Sequence, residues 1–125
     1  MKLLFSPNLP EAIGPYSHAV AAGPFLFISG QVPFHPKTGE VVGSTMAEQA
    51  KQALTNLTAI LAEAGLTLHD VVKTTCYVSD LTKFAEFNAV YAEFMGDHRP
   101  ARATVEVARL ANDIYLEVEA IALLK

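Results

Sequence analysis

Several features that would point to a particular chemistry are scarce or missing in this sequence. Cys76 is the single cysteine, so no intrachain disulfide can form, and nothing indicates an oxidising compartment. The four histidines are scattered without the spacing of a metal site, and we predict none. The glycines do not fall at the spacing of a phosphate loop or a dinucleotide fingerprint. The residues alone therefore indicate no metal or nucleotide chemistry.

Long apolar runs and excess positive charge are also missing. No apolar run approaches the length that spans a bilayer, and the apolar start at residues 1–5 is too short for a signal peptide before Pro7 interrupts it. We therefore expect a cytoplasmic protein without a membrane partner. The net charge of -4 and the pI near 5.5 argue against nucleic acid as a partner.

The chain is nevertheless rich in apolar residues. Hydrophobic residues make up 51% of the sequence and the mean hydropathy is +0.28, which is high for a chain of 125 residues. We predict that residues 1–125 form a single domain with its own core. The apolar surplus favours surface buried against copies of the same chain, as in an obligate oligomer.

The pattern of residues predicts an α+β fold. Apolar runs on either side of Gly23 and Pro24 predict a hairpin. A capping-box pattern starting at Thr45 precedes a helix that ends near Gly65. A strand at 70–78, a helix with an aromatic stripe at about 82–95, and two late strands follow. We expect both helices to pack on one face of the sheet.

Two charged residues stand out because they lie in late strands of otherwise apolar character. Arg102 has the fork geometry that binds a small carboxylate, and Glu117 could accept a proton. Charges in such sequence are costly unless they are paired or used. The residues alone leave two alternatives open, namely solvated edge charges and a structural arginine–glutamate pair.

Other candidate residues lie at loops and element ends. Tyr16 follows a Gly-Pro pair and could fold over a cleft, although plain aromatic packing is the alternative. Gly30 ends a strand where backbone could approach a ligand, and a bulge is the other interpretation. Asn88 lies off the apolar stripe of the second helix and could reach a pocket. Cys76 is interpreted as a buried apolar residue, not a nucleophile.

Five segments of the sequence resemble one known family, in order and over nearly the whole chain. They are IGPYS (13–17), FISGQVP (27–33), KTTCYV (73–78), FNAVY (87–91) and RPARATVEV (99–107). This set resembles the YjgF/YER057c/UK114 family and most closely its RidA subgroup, the reactive intermediate/imine deaminases. The resemblance implies a chorismate-mutase-like α+β fold with a mixed sheet. It also implies a homotrimer with three pockets at subunit interfaces.

The resemblance further implies a reaction and the residues that perform it. The expected activity is hydrolysis of 2-iminobutanoate and 2-iminopropanoate, the tautomer of 2-aminoacrylate, to 2-keto acids and ammonia, without a metal or organic cofactor. Arg102 matches the family's carboxylate clamp, and Glu117 matches the carboxylate that activates water. Further matches are the phenol that closes the pocket and the groups that line it: Tyr16, Ser29, Gly30 and Asn88.

The sequence departs from the family's pattern at two places, and the resemblance also implies an order of strands in the sheet. Thr104 stands where close members often have cysteine, and we expect that position to act through its backbone. The loop at 96–99 is slightly shorter than in some members. In the family's sheet the strand at 70–78 separates the Arg102 and Glu117 strands. Arg102 of one chain should therefore meet Glu117 of the next.

Three other functions compete with the imine deaminase. A trimer could bind keto acids for regulation without turning anything over. An endoribonuclease or translation inhibitor is a second alternative, but the acidic balance and the lack of a basic, aromatic-lined patch count against it. Chorismate mutase is suggested by fold alone, and its dicarboxylate substrate would require more cations than three arginines supply.

Overall fold

The computed structural model describes residues 1–125 and has two helices and one six-stranded sheet. The helices are α1 (Met46–Glu63) and α2 (Phe84–Met95). The strands are β1 (Lys2–Leu4), β2 (Ala19–Ala22), β3 (Phe25–Gln31), β4 (Val71–Val78), β5 (Ala101–Glu106) and β6 (Leu116–Leu123). The sheet is mixed, because β4 and β5 run parallel while the other neighbours are antiparallel. The predicted α+β class is confirmed.

The strand order β1-β2-β3-β6-β4-β5 decides where the candidate residues lie. The predicted hairpin is the β2–β3 pair, which turns at Gly23 with φ of 59°. Strand β4 lies between β5, which carries Arg102, and β6, which carries Glu117. The expected separation of these two residues by the 70–78 strand is therefore correct.

Helix α1 begins and ends where the sequence predicts. The Thr45 hydroxyl accepts the Glu48 amide at 3.2 Å, and the Glu48 carboxylate accepts the Thr45 amide at 3.2 Å, which completes the capping box. Gly65 then takes a φ of 74°, which side-chain-bearing residues adopt at a cost. The apolar stripe of α1, for example Leu54 and Leu57, is fully buried.

Helix α2 starts two residues later than the sequence predicts. A single 3-10 turn at Leu81–Lys83 precedes it, and the Asp80 carboxylate caps that turn by accepting the Thr82 amide at 2.9 Å. The two helices are joined at their starts, because the Ala47 amide of α1 donates to the Glu86 carboxylate of α2 at 2.7 Å. This bond connects the first turns of the two helices.

The sheet has one covered face and one uncovered face. The inner face is buried under the helices and includes Leu116, Val118 and Ala120 of β6 and Thr74, Cys76 and Val78 of β4. The outer face holds the alternate residues, including Glu117, Glu119, Ile121 and Leu123 of β6 and Phe25 and Phe27 of β3. Neither helix is long and apolar enough to cross a membrane.

Candidate active site

Glu117 lies in a cavity of about 480 Å³ at the end of strand β3, here called the Glu117 cavity. Its lining includes three of the predicted site residues, Tyr16, Ser29 and Gly30. His18, Phe34 and Glu119 also contribute to the wall. Four of the predicted site residues, counting Glu117 itself, are thus brought together by the fold.

A β-bulge in β3 makes room for the Glu117 carboxylate. Ile28 pairs with Ala120 and Gln31 pairs with Val118, so β3 holds one residue more than β6 across this interval. Gly30 lies in the bulge, and a Cβ at this position would overlap the Glu117 carboxylate. The glycine is required here because the carboxylate occupies the space of a side chain.

The surroundings of Glu117 favour its protonated form. Burial raises the pKa of the Glu117 carboxyl, and the Glu119 carboxylate on the same face of β6 raises that pKa further. Glu119 is held in place by the Tyr77 hydroxyl, which donates to it at 2.6 Å. A carboxyl group whose pKa is raised can both take and give a proton more readily near neutral pH than an ordinary carboxyl group.

Tyr16 and Ser29 both line the Glu117 cavity but differ in their hydrogen bonds. The side chain of Tyr16 is 47% exposed, and its hydroxyl makes no hydrogen bond within the chain. The Ser29 hydroxyl instead donates to the Ser17 carbonyl at 2.6 Å, which ties the Tyr16 segment to β3. Ser29 therefore has a structural bond in addition to the position in the wall that the resemblance implies.

Arg102 lies on β5 and is oriented by helix α2. Its guanidinium donates to the Asn88 amide oxygen at 2.8 Å and lies 4.7 Å from the ring centre of Tyr91 and 5.4 Å from that of Phe84. Arg102, Asn88 and Tyr91 line a second cavity of about 460 Å³, the Arg102 cavity. The arginine makes no ion pair, so its charge is available for an anion.

Arg102 and Glu117 lie on opposite faces of the sheet within one chain. Arg102 is in register with Thr74, whose hydroxyl contacts the Tyr91 hydroxyl on the inner face at 2.7 Å. Glu117 is in register with Tyr77 on the outer face. The Glu117 and Arg102 cavities share no lining residue. A single chain therefore does not bring its two main candidate residues to one pocket.

Two residues near the Arg102 strand lie outside both cavities. The Thr104 hydroxyl is buried without a hydrogen-bond partner, and Thr104 pairs with Cys76 across β4 and β5. The expected buried state of Cys76 is confirmed, and burial raises the pKa of its thiol to about 11. No group of three or more histidine, cysteine or acidic side chains is arranged to hold a metal ion.

Sequence reasoning missed the residues that support the two main candidates. Tyr91 and Phe84 were predicted only as core residues of the helix stripe, yet their ring faces hold the Arg102 guanidinium. A signal was present, because positions 84, 88 and 91 recur on one helix face at the spacing of i, i+4 and i+7. Glu119 shares a strand face with Glu117, but nothing in the sequence placed Tyr77 beside it.

The matching family accounts for this arrangement of sheet, helices and candidate residues. The sequence matches the family described as Endoribonuclease L-PSP over residues 6–124, and the chain belongs to that family, which includes the YjgF and RutC proteins. The family membership predicted from the five segments is confirmed.

Curated relatives and solved structures match over nearly the full chain. A RutC family protein of Pyrococcus horikoshii is 51% identical, covering 97% of this chain and 96% of its own. The 2-iminobutanoate/2-iminopropanoate deaminase of Escherichia coli is 49% identical over the same shares of the two chains. The crystal structure of Escherichia coli TdcF with bound serine has a TM-score of 0.94 and 41% identity, covering 100% of both chains.

Proposed function

We propose that this protein is a deaminase that hydrolyses reactive 2-imino acids, such as 2-iminobutanoate and 2-iminopropanoate, to 2-keto acids and ammonia. The observation that carries the proposal is the half-buried Glu117, whose carboxyl pKa is raised within a cavity lined by Tyr16, Ser29 and Gly30. The 49% identity to the Escherichia coli enzyme of that name supports the same reaction.

In this proposal Arg102 binds the carboxylate of the substrate. Asn88 and the rings of Tyr91 and Phe84 hold the guanidinium in one orientation before the substrate arrives. A bidentate arginine–carboxylate contact then fixes the imine carbon at a set distance from the other reacting groups. TdcF, the relative whose structure contains serine, binds an α-amino acid that carries the same carboxylate group.

Glu117 performs the proton transfers. Its carboxylate takes a proton from water as the oxygen adds to the imine carbon, and the proton passes to the nitrogen. Glu117 then takes the hydroxyl proton of the resulting carbinolamine and passes it to the amine nitrogen. The C–N bond breaks, ammonia leaves and the carbonyl forms, so one water is consumed for each ammonia released. General acid–base catalysis of this kind contributes about 10² to 10⁴ in rate. Tyr16 closes the cavity and restricts bulk water.

The proposal requires a second copy of the chain in each site. Arg102 and Glu117 of one chain lie on opposite faces of the sheet, so Arg102 meets Glu117 of a neighbouring chain. The outer face carries the apolar surface for this assembly, since Phe25, Phe27, Val105 and Leu123 are each between 36% and 47% exposed. We propose a homotrimer with three such shared sites, as the family resemblance implies.

The experiment measures keto-acid release from an imine that a pyridoxal-phosphate threonine dehydratase generates in the assay, with semicarbazide competing for the imine. Wild type should accelerate release, and Arg102→Ala should lose about 10² to 10³ of that acceleration, because the charge-assisted contact with the substrate carboxylate is lost. Arg109→Ala is the matched control, because Arg109 is exposed and pairs with Asp113 at 3.4 Å outside both cavities.

A second arm of the experiment tests the shared site. Inactive Arg102→Ala and Glu117→Ala chains are mixed and reassembled, and hybrids are separated by differently charged tags. Hybrids should regain part of the activity, because some interfaces combine an intact Arg102 with an intact Glu117. Verified hybrids without rescue would show that both residues act from one chain. If wild type binds 2-ketobutyrate without accelerating release, the keto-acid-binding regulatory function replaces the deaminase.

A further inference from the structure

His18 is a buried histidine with a hydrogen bond at each ring nitrogen, and the proposed reaction does not use it directly. The Ser6 amide donates to its Nδ1 at 2.9 Å, and its Nε2 lies 2.9 Å from the Pro10 carbonyl oxygen. An amide N–H can only donate and a carbonyl oxygen can only accept. The ring is therefore the neutral tautomer with its proton on Nε2.

These two bonds close the chain segment that carries Tyr16. Residues Ser6 and Pro10 are both fastened to residue 18, so the segment at 6–17 is drawn into a loop beside β2. At its far end the Ser29 hydroxyl donates to Ser17, and the Ser29 amide donates to the His18 carbonyl at 3.0 Å. Tyr16 has no side-chain hydrogen bond of its own. The position of its ring at the Glu117 cavity therefore depends on these backbone and side-chain hydrogen bonds of the segment.

We propose that His18 is the positioning residue of the Tyr16 segment, and that only its neutral ring can hold that segment closed. A proton on Nδ1 would face the Ser6 N–H, so two donors would oppose each other where one bond exists now. The segment would then detach from β2 and Tyr16 would leave the wall of the cavity. The functional part of this inference rests on the proposed role of Tyr16 in the deaminase.

Several charged and titratable groups face His18 across the two cavities that it borders. Glu11 and Lys37 share with it the larger neighbouring cavity of about 750 Å³, while Glu117 and Glu119 share the Glu117 cavity. Glu63 of α1 approaches from behind by accepting the Ser6 hydroxyl at 3.0 Å. A proton added to Nδ1 of the ring would cost the Ser6 bond. Protonation and opening of the segment are therefore linked.

The test compares His18→Gln with His18→Ala. A glutamine offers one acceptor and one donor, as the neutral ring does, but it does not titrate. Backbone amide exchange is measured at Ser6 and through residues 6–17, corrected for the intrinsic rate. At neutral pH, His18→Ala should speed exchange at Ser6 by at least about tenfold, while His18→Gln should stay close to wild type. Exchange at Gly96 is the internal control, because its amide donates to the Ala92 carbonyl at 2.9 Å at the end of α2, outside the Tyr16 segment.

The response of the amide exchange rates to acid is the result that a merely structural role of His18 would not produce. On acidification, wild type should lose protection at Ser6 and His18→Gln should keep it, because only the histidine ring can gain a proton at the atom that accepts the Ser6 amide. The kcat/KM of His18→Gln should respond less to acid than that of wild type, and kcat/KM of His18→Ala should fall toward that of Tyr16→Ala, which lacks the ring. Equal responses of wild type and His18→Gln to acid would overturn the proposal, even if His18→Ala fails to fold. Amide exchange does not depend on turnover, so an inactive wild type would count against the deaminase alone.

Discussion

The inner and outer faces of the sheet contrast in cover and in chemistry. On the inner face, Leu116 and Val118 are fully buried under α1 and α2, and Arg102 extends along the end of that layer against Tyr91. On the outer face, Phe27 is 44% exposed, Leu123 is 47% exposed, and no element of the chain covers them. The inner face is a packed core, whereas the outer face is an apolar surface that carries two carboxylates on the central strand β6.

This contrast explains why the candidate site is divided. Alternation along a strand sends neighbouring side chains to opposite faces, so a chain that buries one face can present functional groups on the other without disturbing its core. Glu117 therefore lies between Leu116 and Val118 in sequence but on the opposite face from both. The same alternation separates it from Arg102, and an apolar outer face supplies a surface on which a neighbouring chain can bring the two together.

The largest effect is expected from a comparison of Leu116 and Leu123, two residues of β6 that lie on opposite faces of the sheet. Leu116→Ala should lower the free energy of unfolding by about 2–5 kcal/mol, because it opens a cavity in a fully packed core. Leu123→Ala should change the folding of the single chain by less than about 1 kcal/mol, since its side chain is half-exposed. Its effect should appear in assembly, because Leu123 lies beside Phe25 on the outer face.

Chemical denaturation at several protein concentrations separates the two leucine variants. The Leu116→Ala loss should be present at every concentration, while the Leu123→Ala loss should grow as the protein is diluted and light scattering should report smaller species. Equal, concentration-independent losses in both variants would show that the outer face contributes to folding as the inner face does. The contrast between the faces would then be wrong.

A smaller effect, confined to activity, is expected at the bulge of β3. Gly30→Ala places a methyl group where the Glu117 carboxylate now lies, so the carboxylate must move. A displacement of about 1 Å costs on the order of 10² in kcat/KM. Stability should change little, because the residue lies at the cavity wall. Keto-acid release measures the loss, and Gly39→Ala is a control, since a Cβ there meets nothing within 4 Å.

Gly39→Ala is expected to lower stability through the backbone conformation of Gly39, so this control should disturb the fold more than Gly30→Ala does. Its φ of 73° disfavours alanine, so Gly39→Ala should lose stability but keep kcat/KM. Gly30→Ala should show the reverse. If Gly30→Ala is fully active, the close approach of the Glu117 carboxylate to β3 has no part in the reaction.

Much of the fold followed from local patterns in the sequence. The capping box at Thr45 and the stop at Gly65 gave both ends of α1, because helix ends depend on hydrogen bonds that a few neighbouring residues determine. The start of α2 was misplaced, since Asp80 caps a short 3-10 turn and the sequence pattern does not distinguish that turn from an α-helical one.

The candidate site was less accessible to sequence reasoning. Arg102 and Glu117 were found because charges in apolar strands are rare, but their faces depend on sheet order, which residue patterns do not specify. The correct order came from the family resemblance, whereas a hairpin interpretation would have made β5 and β6 neighbours. The contacts of Arg102 with Tyr91, and of Tyr77 with Glu119, join segments far apart in sequence. Helical spacing groups Phe84, Asn88 and Tyr91 on one face, but no periodicity or motif encodes which distant residue meets that face.

The smallest expected effect is the contribution of the Glu117 carboxyl group to the free energy of unfolding, and its sign depends on pH. Burial, followed by the charge of Glu119, raises the pKa of Glu117 above its ordinary value, so the folded chain binds this proton more tightly than the unfolded chain. Its contribution to stability is therefore present at acid pH and is lost as pH rises through the raised pKa. At neutral pH the ionised Glu117 destabilises the fold.

Glu117→Gln should accordingly abolish turnover and yet raise the free energy of unfolding at neutral pH, by about 1 kcal/mol or less because the group is only half-buried. The gain should disappear below about pH 4, where the carboxyl group is protonated in both states. Denaturation at the two pH values, at one subunit concentration, measures it. Glu93→Gln is the matched control, since that carboxylate is exposed on α2 and its replacement should bring no comparable gain. A Glu117→Gln variant that is less stable than wild type at neutral pH would mean that the ionised carboxylate stabilises the fold. The proposed catalytic role of Glu117 would then carry no cost in stability.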